Sequence, residues 1–175
     1  MAISKLTISN FKGIADRISF ELRPITLFIG PNSSGKSSCI HALAALAQTV
    51  KLPNSGRPLV LDDEYAQVHL GRFIEVIHSK SYSDAIGIGF ETIADRIPRT
   101  VSRTSRGQFT LNANYSFRST RRTQDVYLDR ADFSGSSGPL TFKFDTKSAT
   151  YQGKSGPRTI ALKAPAATSL DQTRI

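Results

Sequence analysis

The chain has 175 residues, of which 39% are hydrophobic and 21% charged. That is ordinary globular usage, and it excludes a wholly disordered polypeptide. No apolar stretch approaches the roughly 20 residues of a membrane span. The N-terminus lacks the apolar region of a signal peptide. A single cysteine, Cys39, excludes an internal disulfide framework, so a cytoplasmic protein with no membrane partner is expected. The net charge of +9 is uneven. Residues 1–95 hold 9 Lys+Arg and 9 Asp+Glu, whereas residues 96–175 hold 14 Lys+Arg and 5 Asp+Glu. Such asymmetry suits a polyanionic partner such as DNA, or an acidic remainder that balances it.

In chain order, residues 3–8 alternate apolar and polar, which predicts a half-buried strand. Asn10-Phe11-Lys12-Gly13 reads as a turn, and Ile18-Ser19-Phe20-Glu21-Leu22 as a second strand paired with the first. Pro24 interrupts the pattern. Ile25-Thr26-Leu27-Phe28-Ile29 is nearly continuous in apolar character, which predicts a strand buried on both faces. A polar loop bounded by Gly30 and Gly35 follows. A helix is then expected from Lys36 to about Lys51, with Ile40, Leu43, Ala44, Leu46 and Ala47 on its apolar stripe. Residues 53–58 read as a loop, and residues 68–77 as a short helix or irregular segment. Residues 85–90 read as a strand. Beyond residue 100, short alternating runs at 109–111, 115–117, 126–128, 140–144 and 159–162 are separated by turn residues, among them 134–139. This is the pattern of antiparallel hairpins. Residues 164–175 lack periodicity and read as a flexible end.

One motif carries chemistry. Gly30-Pro31-Asn32-Ser33-Ser34-Gly35-Lys36-Ser37 matches G-x-x-x-x-G-K-[ST], the Walker A phosphate loop. The glycines admit backbone angles that a side chain would block. The loop N–H groups can then turn inward around a phosphate, with the positive end of the following helix aimed at the same anion. Lys36 supplies a compact charge for the β- and γ-phosphates, and Ser37 a hydroxyl for Mg²⁺. The pattern predicts a nucleoside triphosphate site.

The first 50 residues resemble the start of an ABC-type ATPase head of the RecF, SMC and OLD-nuclease kind. The resemblance rests on Asn10-Phe11-Lys12-Gly13-Ile14 between two strands, on Pro24-Ile25-Thr26-Leu27-Phe28-Ile29, and on the loop from Gly30 through Ser37 and Ser38. Residues 68–78, from Val68 through Leu70-Gly71-Arg72-Phe73 to His78, are similar to a segment of bacterial AAA-type ATPases with this head, several of which act in phage defence. The resemblance implies ATP with Mg²⁺, and residues 12–16, Lys12 included, near the adenine or ribose. It also implies two heads sandwiching ATP, whether as a homodimer or with a partner ATPase lobe.

Other parts that such heads need are missing: a signature motif, a Walker B strand and a switch histidine. Leu59-Val60-Leu61-Asp62-Asp63-Glu64 imitates a Walker B, but only 26 positions separate Lys36 from Asp62, and helix and loop consume most of them. Asp63 and Glu64 therefore read as a solvated acidic turn rather than a metal-linked acid and catalytic base. Gln108, Gln124 and Gln152 are undistinguished candidates for a Q-loop glutamine. Cys39 reads as a buried thiol, and His41, His69 and His78 lack metal-ligand spacing. Arg118, Arg121 and Arg122 beside Tyr115 and Phe117 are either a nucleic-acid contact or a solvated hairpin end.

The expected fold is α/β, a P-loop NTPase first lobe with a mixed sheet around the phosphate loop and an added antiparallel β layer. The lobe spans residues 1–163. It divides into a strand, loop and helix unit (1–52), a mixed insertion (53–98) and a β-rich part (99–163), with a flexible end at 164–175. The alternative is a non-catalytic basic nucleic-acid-binding module with ATP as a structural ligand.

Overall fold

Alternation in the first strand decides which face of the sheet is covered. In the computed structural model, β1 (Ala2–Ser9) buries Leu6 and Ile8 completely and leaves Lys5 exposed. The model describes residues 2–32, 34–52, 57–94, 109–135, 140–145, 150–155 and 158–163. Strand β2 (Ile18–Glu21) pairs antiparallel with β1, with Phe20 opposite Leu6. On the outer side the Thr7 and Ser19 hydroxyls lie 2.8 Å apart, a cross-strand polar pair on a wet face.

The chain then builds β3 (Ile86–Ala94), β4 (Phe109–Ser119), β5 (Val126–Gly135), β6 (Leu140–Asp145), β7 (Thr150–Ser155) and β8 (Arg158–Lys163). Together they form one eight-stranded sheet in the order β2-β1-β3-β4-β5-β6-β7-β8. Among the described residues every pair is antiparallel. The hairpins expected after residue 100 are present, and the runs at 109–111 and 115–117 are parts of a single strand, β4. β7 carries no apolar alternation in its Thr-Tyr-Gln-Gly-Lys-Ser sequence, so periodicity alone could not reveal it. Its partners β6 and β8 hold it in place. β3 belongs to the segment expected as an insertion, yet it sits between β1 and β4 and is integral to the sheet. The expected loop at 53–58 falls largely outside the described residues, as do the turn residues 136–139 and the end at 164–175.

The mixed sheet around the phosphate loop is not found. Residues 25–29 form no strand, and Ile25, Leu27 and Ile29 are 91%, 78% and 84% exposed. Phe28 is half-buried against Phe20, edge to face at 5.2 Å. The expectation of burial on both faces fails because no neighbouring strand among the described residues covers the other side. These three side chains contribute almost nothing to stability as they stand. Leu27→Ser is expected to shift the thermal midpoint by no more than about 1–2 °C, the effect of a surface change, while raising solubility by breaking an exposed apolar row. Thermal denaturation and precipitation assays would check both effects.

Helix α1 (Lys36–Lys51) runs over the predicted span, but its buried face is rotated from the predicted stripe. Ser38, Cys39, Ala42, Ala45 and Gln48 are buried, whereas Ile40 and Val50 are 56% and 79% exposed. Leu43 and Leu46 are only half-buried. Apolar residues surround most of this helix, so periodicity could not choose a side. Small side chains let the helix axis approach the core, and that selects the Cys39, Ala42 and Ala45 face. Under it lie Leu6, Ile8, Ile86, Ile88 and Phe117 from the sheet, together with Leu59, Leu61, Phe73 and Val76. Gln48 ties α1 to the irregular segment 59–70. Its Nε2 donates to the Val60 and Val68 carbonyls at 2.7 and 3.3 Å, and its Oε1 accepts the Val68 N–H at 3.2 Å. Within residues 68–77 a single helical turn forms, α2 (Phe73–Val76). Glu75 caps it by accepting the Arg72 N–H at 2.8 Å.

Candidate phosphate-binding site

The phosphate loop leads directly into α1. Gly35 is the residue before the helix and adopts φ 88°, a left-handed conformation that strains any residue with a Cβ. A Cβ there would meet Ile14 Cγ1 at an ordinary 3.5 Å, so the requirement for glycine comes from the backbone and not from space. No side chain caps the helix, and its first turn holds no acidic residue. The first N–H groups of a helix have no intrahelical acceptor, and here nothing negative in that turn competes for them. They open onto a cleft of about 420 Å³ lined by Gly13, Asn32, Gly35, Lys36, Ser37 and Ser38.

The Lys36 ammonium folds back on the loop and donates to the Gly30 carbonyl at 2.8 Å and the Pro31 carbonyl at 2.5 Å. Two carbonyl dipoles hold the charge at the loop, but neither neutralises it, so an entering polyanion meets a full positive charge. Ser34 N–H reaches the Pro31 carbonyl at 3.4 Å and closes the loop on itself. Ser37 is exposed at the cleft and Ser38 is buried. Ser33 lies outside the described residues. Gly30, Pro31 and Ser34 shape the loop without lining the cleft. Lys12 does not line it either, but its neighbour Gly13 does. The Gly13 N–H donates to Ser38 Oγ at 3.2 Å, and a Cβ on Gly13 would lie 3.5 Å from Gly35 Cα. The first turn of the chain and the phosphate loop are thus in backbone contact. The Asn-Phe-Lys-Gly sequence signals a turn there, but nothing local in it says that the turn walls the cleft.

The remaining candidates sort by position. Asp62, Asp63 and Glu64 do not line the cleft. Asp62 pairs with His69 Nδ1 at 2.6 Å on the surface, and Asp63 accepts the Tyr65 N–H at 3.2 Å, as the reading of a solvated acidic turn expects. Cys39 is buried, and burial raises its thiol pKa. Burial, followed by the charge of Lys12, lowers the pKa of His41 on α1. His78 donates from Nδ1 to the Lys12 carbonyl at 2.7 Å. No cluster of His, Cys, Asp and Glu among the described residues could hold a metal. Gln124 sits in the β4–β5 turn, and Gln108 lies outside the described residues.

Of the mixture of arginine and aromatic side chains, Tyr115, Phe117 and Arg118 make contacts within the fold. Tyr115 packs against Phe90, Phe117 and Phe133 with ring centroids 6.1, 6.1 and 5.7 Å apart. Arg118 donates to the Ser83 carbonyl at 2.8 Å and lies 3.2 Å from the Asp129 carboxylate. Arg121 and Arg122 are exposed in the β4–β5 turn. No helix among the described residues is long and apolar enough to cross a membrane.

A search of curated proteins finds none that matches this sequence. The family model described as AAA ATPase domain matches residues 1–156. That span includes the phosphate loop, the turn that walls the cleft and β1 through β7, and the chain belongs to the AAA ATPase domain family.

Proposed function

We propose that the chain is the nucleotide-binding lobe of an ABC-type ATPase head similar to the RecF, SMC and OLD kind, and that it binds Mg-ATP in the cleft before α1. The observation that carries this reading is the convergence of the Lys36 ammonium, the Ser37 hydroxyl and the acid-free first turn of α1 on one cleft. The donor set fits a triphosphate. Amides and an ammonium suit phosphate oxygens, and the Ser37 hydroxyl suits a hard cation such as Mg²⁺. When bound, Mg²⁺ would be held by the Ser37 hydroxyl and would supply positive charge to offset that of the phosphates. Gly30, Pro31 and Ser34 shape the loop, and Asn32, Gly35 and Ser38 line the cleft; Ser33 and Lys12 are proposed as further contacts of the nucleotide.

Hydrolysis is assigned to the completed head and not to this lobe alone. No carboxylate among the described residues lines the cleft, so none there can act as general base toward an attacking water. The exposed row of Ile25, Leu27 and Ile29, with Ile40 and Val50 on α1, supports completion by strands of a further ATPase lobe, which would cover it, and assembly as a homodimer of heads. In this reading residues 1–163 act as one lobe of a cytoplasmic ATPase serving DNA repair or phage defence. Titration calorimetry with Mg-ATP tests the proposal. Saturable, weak binding that needs the triphosphate and Mg²⁺, with slow turnover, is expected. Equal binding of AMP, or none of ATP, would refute it.

The charge of residues 96–175 favours a second reading, a basic DNA-binding module with ATP as a structural ligand. Affinity for duplex DNA that falls steeply with salt would support it. No affinity at low salt would end it.

A further inference from the structure

The turn that walls the cleft is held in an unfavourable backbone shape from one side. Asn10 and Lys12 have φ 53° and 48°, which non-glycine residues seldom adopt, and such strain persists only where the surroundings over-determine it. The turn closes on itself through the Phe11 N–H to Ile14 carbonyl bond at 2.8 Å and its reciprocal at 2.9 Å. Further restraint comes from the end of α2 and the segment after it. Lys12 N–H donates to the Val76 carbonyl at 2.6 Å, and His78 N–H to the Asn10 carbonyl at 3.2 Å. Ser79 N–H donates to Asn10 Oδ1 at 2.9 Å, and His78 Nδ1 meets the Lys12 carbonyl at 2.7 Å.

A carbonyl can only accept, so the His78 ring must donate through Nδ1–H, which fixes its tautomer or requires the imidazolium. The side chain is otherwise exposed. On the far side of the same turn, Gly13 lies against Gly35 and donates to Ser38 Oγ. A continuous path of contacts therefore runs from His78 through the Lys12 carbonyl and Gly13 to the first turn of α1.

We infer that His78 is a positioning residue for the cleft: through the Lys12 carbonyl it holds the strained Lys12 and Gly13 turn against the phosphate loop, so that the wall is in place before the ligand arrives. The inference rests on the triphosphate reading above. An exposed imidazole bonded to the carbonyl of a residue with positive φ adds little to the core, but it limits how far the turn can relax away from Gly35. Preorganisation of this kind acts on affinity by removing an ordering cost at binding.

Titration of Mg-ATP into the wild-type chain and its His78→Ala, His78→Asn, Ser38→Ala and Lys36→Ala variants tests this, with thermal melts run alongside. His78→Ala is expected to weaken binding about five- to tenfold, the worth of one hydrogen bond, with little change in melting. His78→Asn, whose amide can donate from nearly the Nδ1 position, is expected to restore binding to within about twofold of wild type. Ser38→Ala, which cuts the same path from the helix side, is expected to weaken binding as well. Wild-type affinity in His78→Ala, or an asparagine variant as weak as alanine, would overturn the inference. Loss of binding in Lys36→Ala alone would leave the triphosphate reading standing without it, whereas unchanged binding in Lys36→Ala would remove the reading itself.

Discussion

Lys36→Ala is expected to reduce Mg-ATP affinity by roughly 30- to 1000-fold, which would be read as loss of measurable heat in a calorimetric titration. The ammonium is the only side-chain cation lining the cleft among the described residues, and a hydrogen-bonded charge pair with phosphate is worth about 2–4 kcal/mol when one partner is truncated. At about 1.4 kcal/mol per decade, that spans roughly 30- to 1000-fold. Because the loop amides remain, a residual affinity for phosphate is expected to survive. Folding should be unaffected, since Lys36 bonds only to the Gly30 and Pro31 carbonyls of its own loop and both residues are exposed to water. Lys36→Arg is not a rescue. Its planar fork needs more room than a point charge and cannot follow the same path. Wild-type affinity in Lys36→Ala would show that the cleft is not where ATP binds.

Gln48→Leu is expected to be the most damaging single change to stability. Gln48 is 1% exposed, and its amide answers three backbone groups of the segment that otherwise has no ladder: the Val60 carbonyl and both the N–H and carbonyl of Val68. Leucine fills similar space and satisfies none of them. A buried polar group stripped of its partner costs about 1–3 kcal/mol. Partial relaxation of the segment should hold the total to about 2–4 kcal/mol, or roughly 5–15 °C in melting temperature for a chain of this size. Thr49→Val makes a useful comparison. Thr49 Oγ1 accepts the Val60 N–H at 2.8 Å, so losing it strands one group where Gln48→Leu strands three, and a smaller shift is expected. A Gln48→Leu protein that melts with the wild type would mean that segment 59–70 is not anchored through α1.

Both variants separate what is local from what is not. The phosphate loop is a contiguous run of eight residues whose chemistry depends on their order. Gly30, Gly35, Lys36 and Ser37 were therefore legible as a unit, and the structure places the last three on one cleft. The amide of Gln48 sits in an apolar helical stretch, and nothing in that stretch says which backbone groups it will meet, because Val60 and Val68 are brought to it only by folding. The same holds for His78 and Lys12, 66 positions apart. Periodicity also misled where apolar residues outnumber the surfaces that can cover them. On α1 the apolar spacing pointed to Ile40 and Leu43 for the core, where the structure buries Ala42 and Ala45. At residues 25–29 an apolar run implied burial that requires neighbours the described residues do not supply.

The amino-acid sequence by itself determined the helix that follows the loop, the order of most strands and the anion-binding chemistry, since each of these depends on residues adjacent in the chain. Tertiary structure alone decided that β3 pairs with β1 and so joins the hairpins into one sheet from β2 to β8, that the small face of α1 turns inward, and that Gly13 joins the phosphate loop in walling the cleft. The physical reason is that hydrogen-bond registers and close backbone approaches depend on segments far apart in the chain. Their geometry exists only once the apolar surfaces between them have been removed from water.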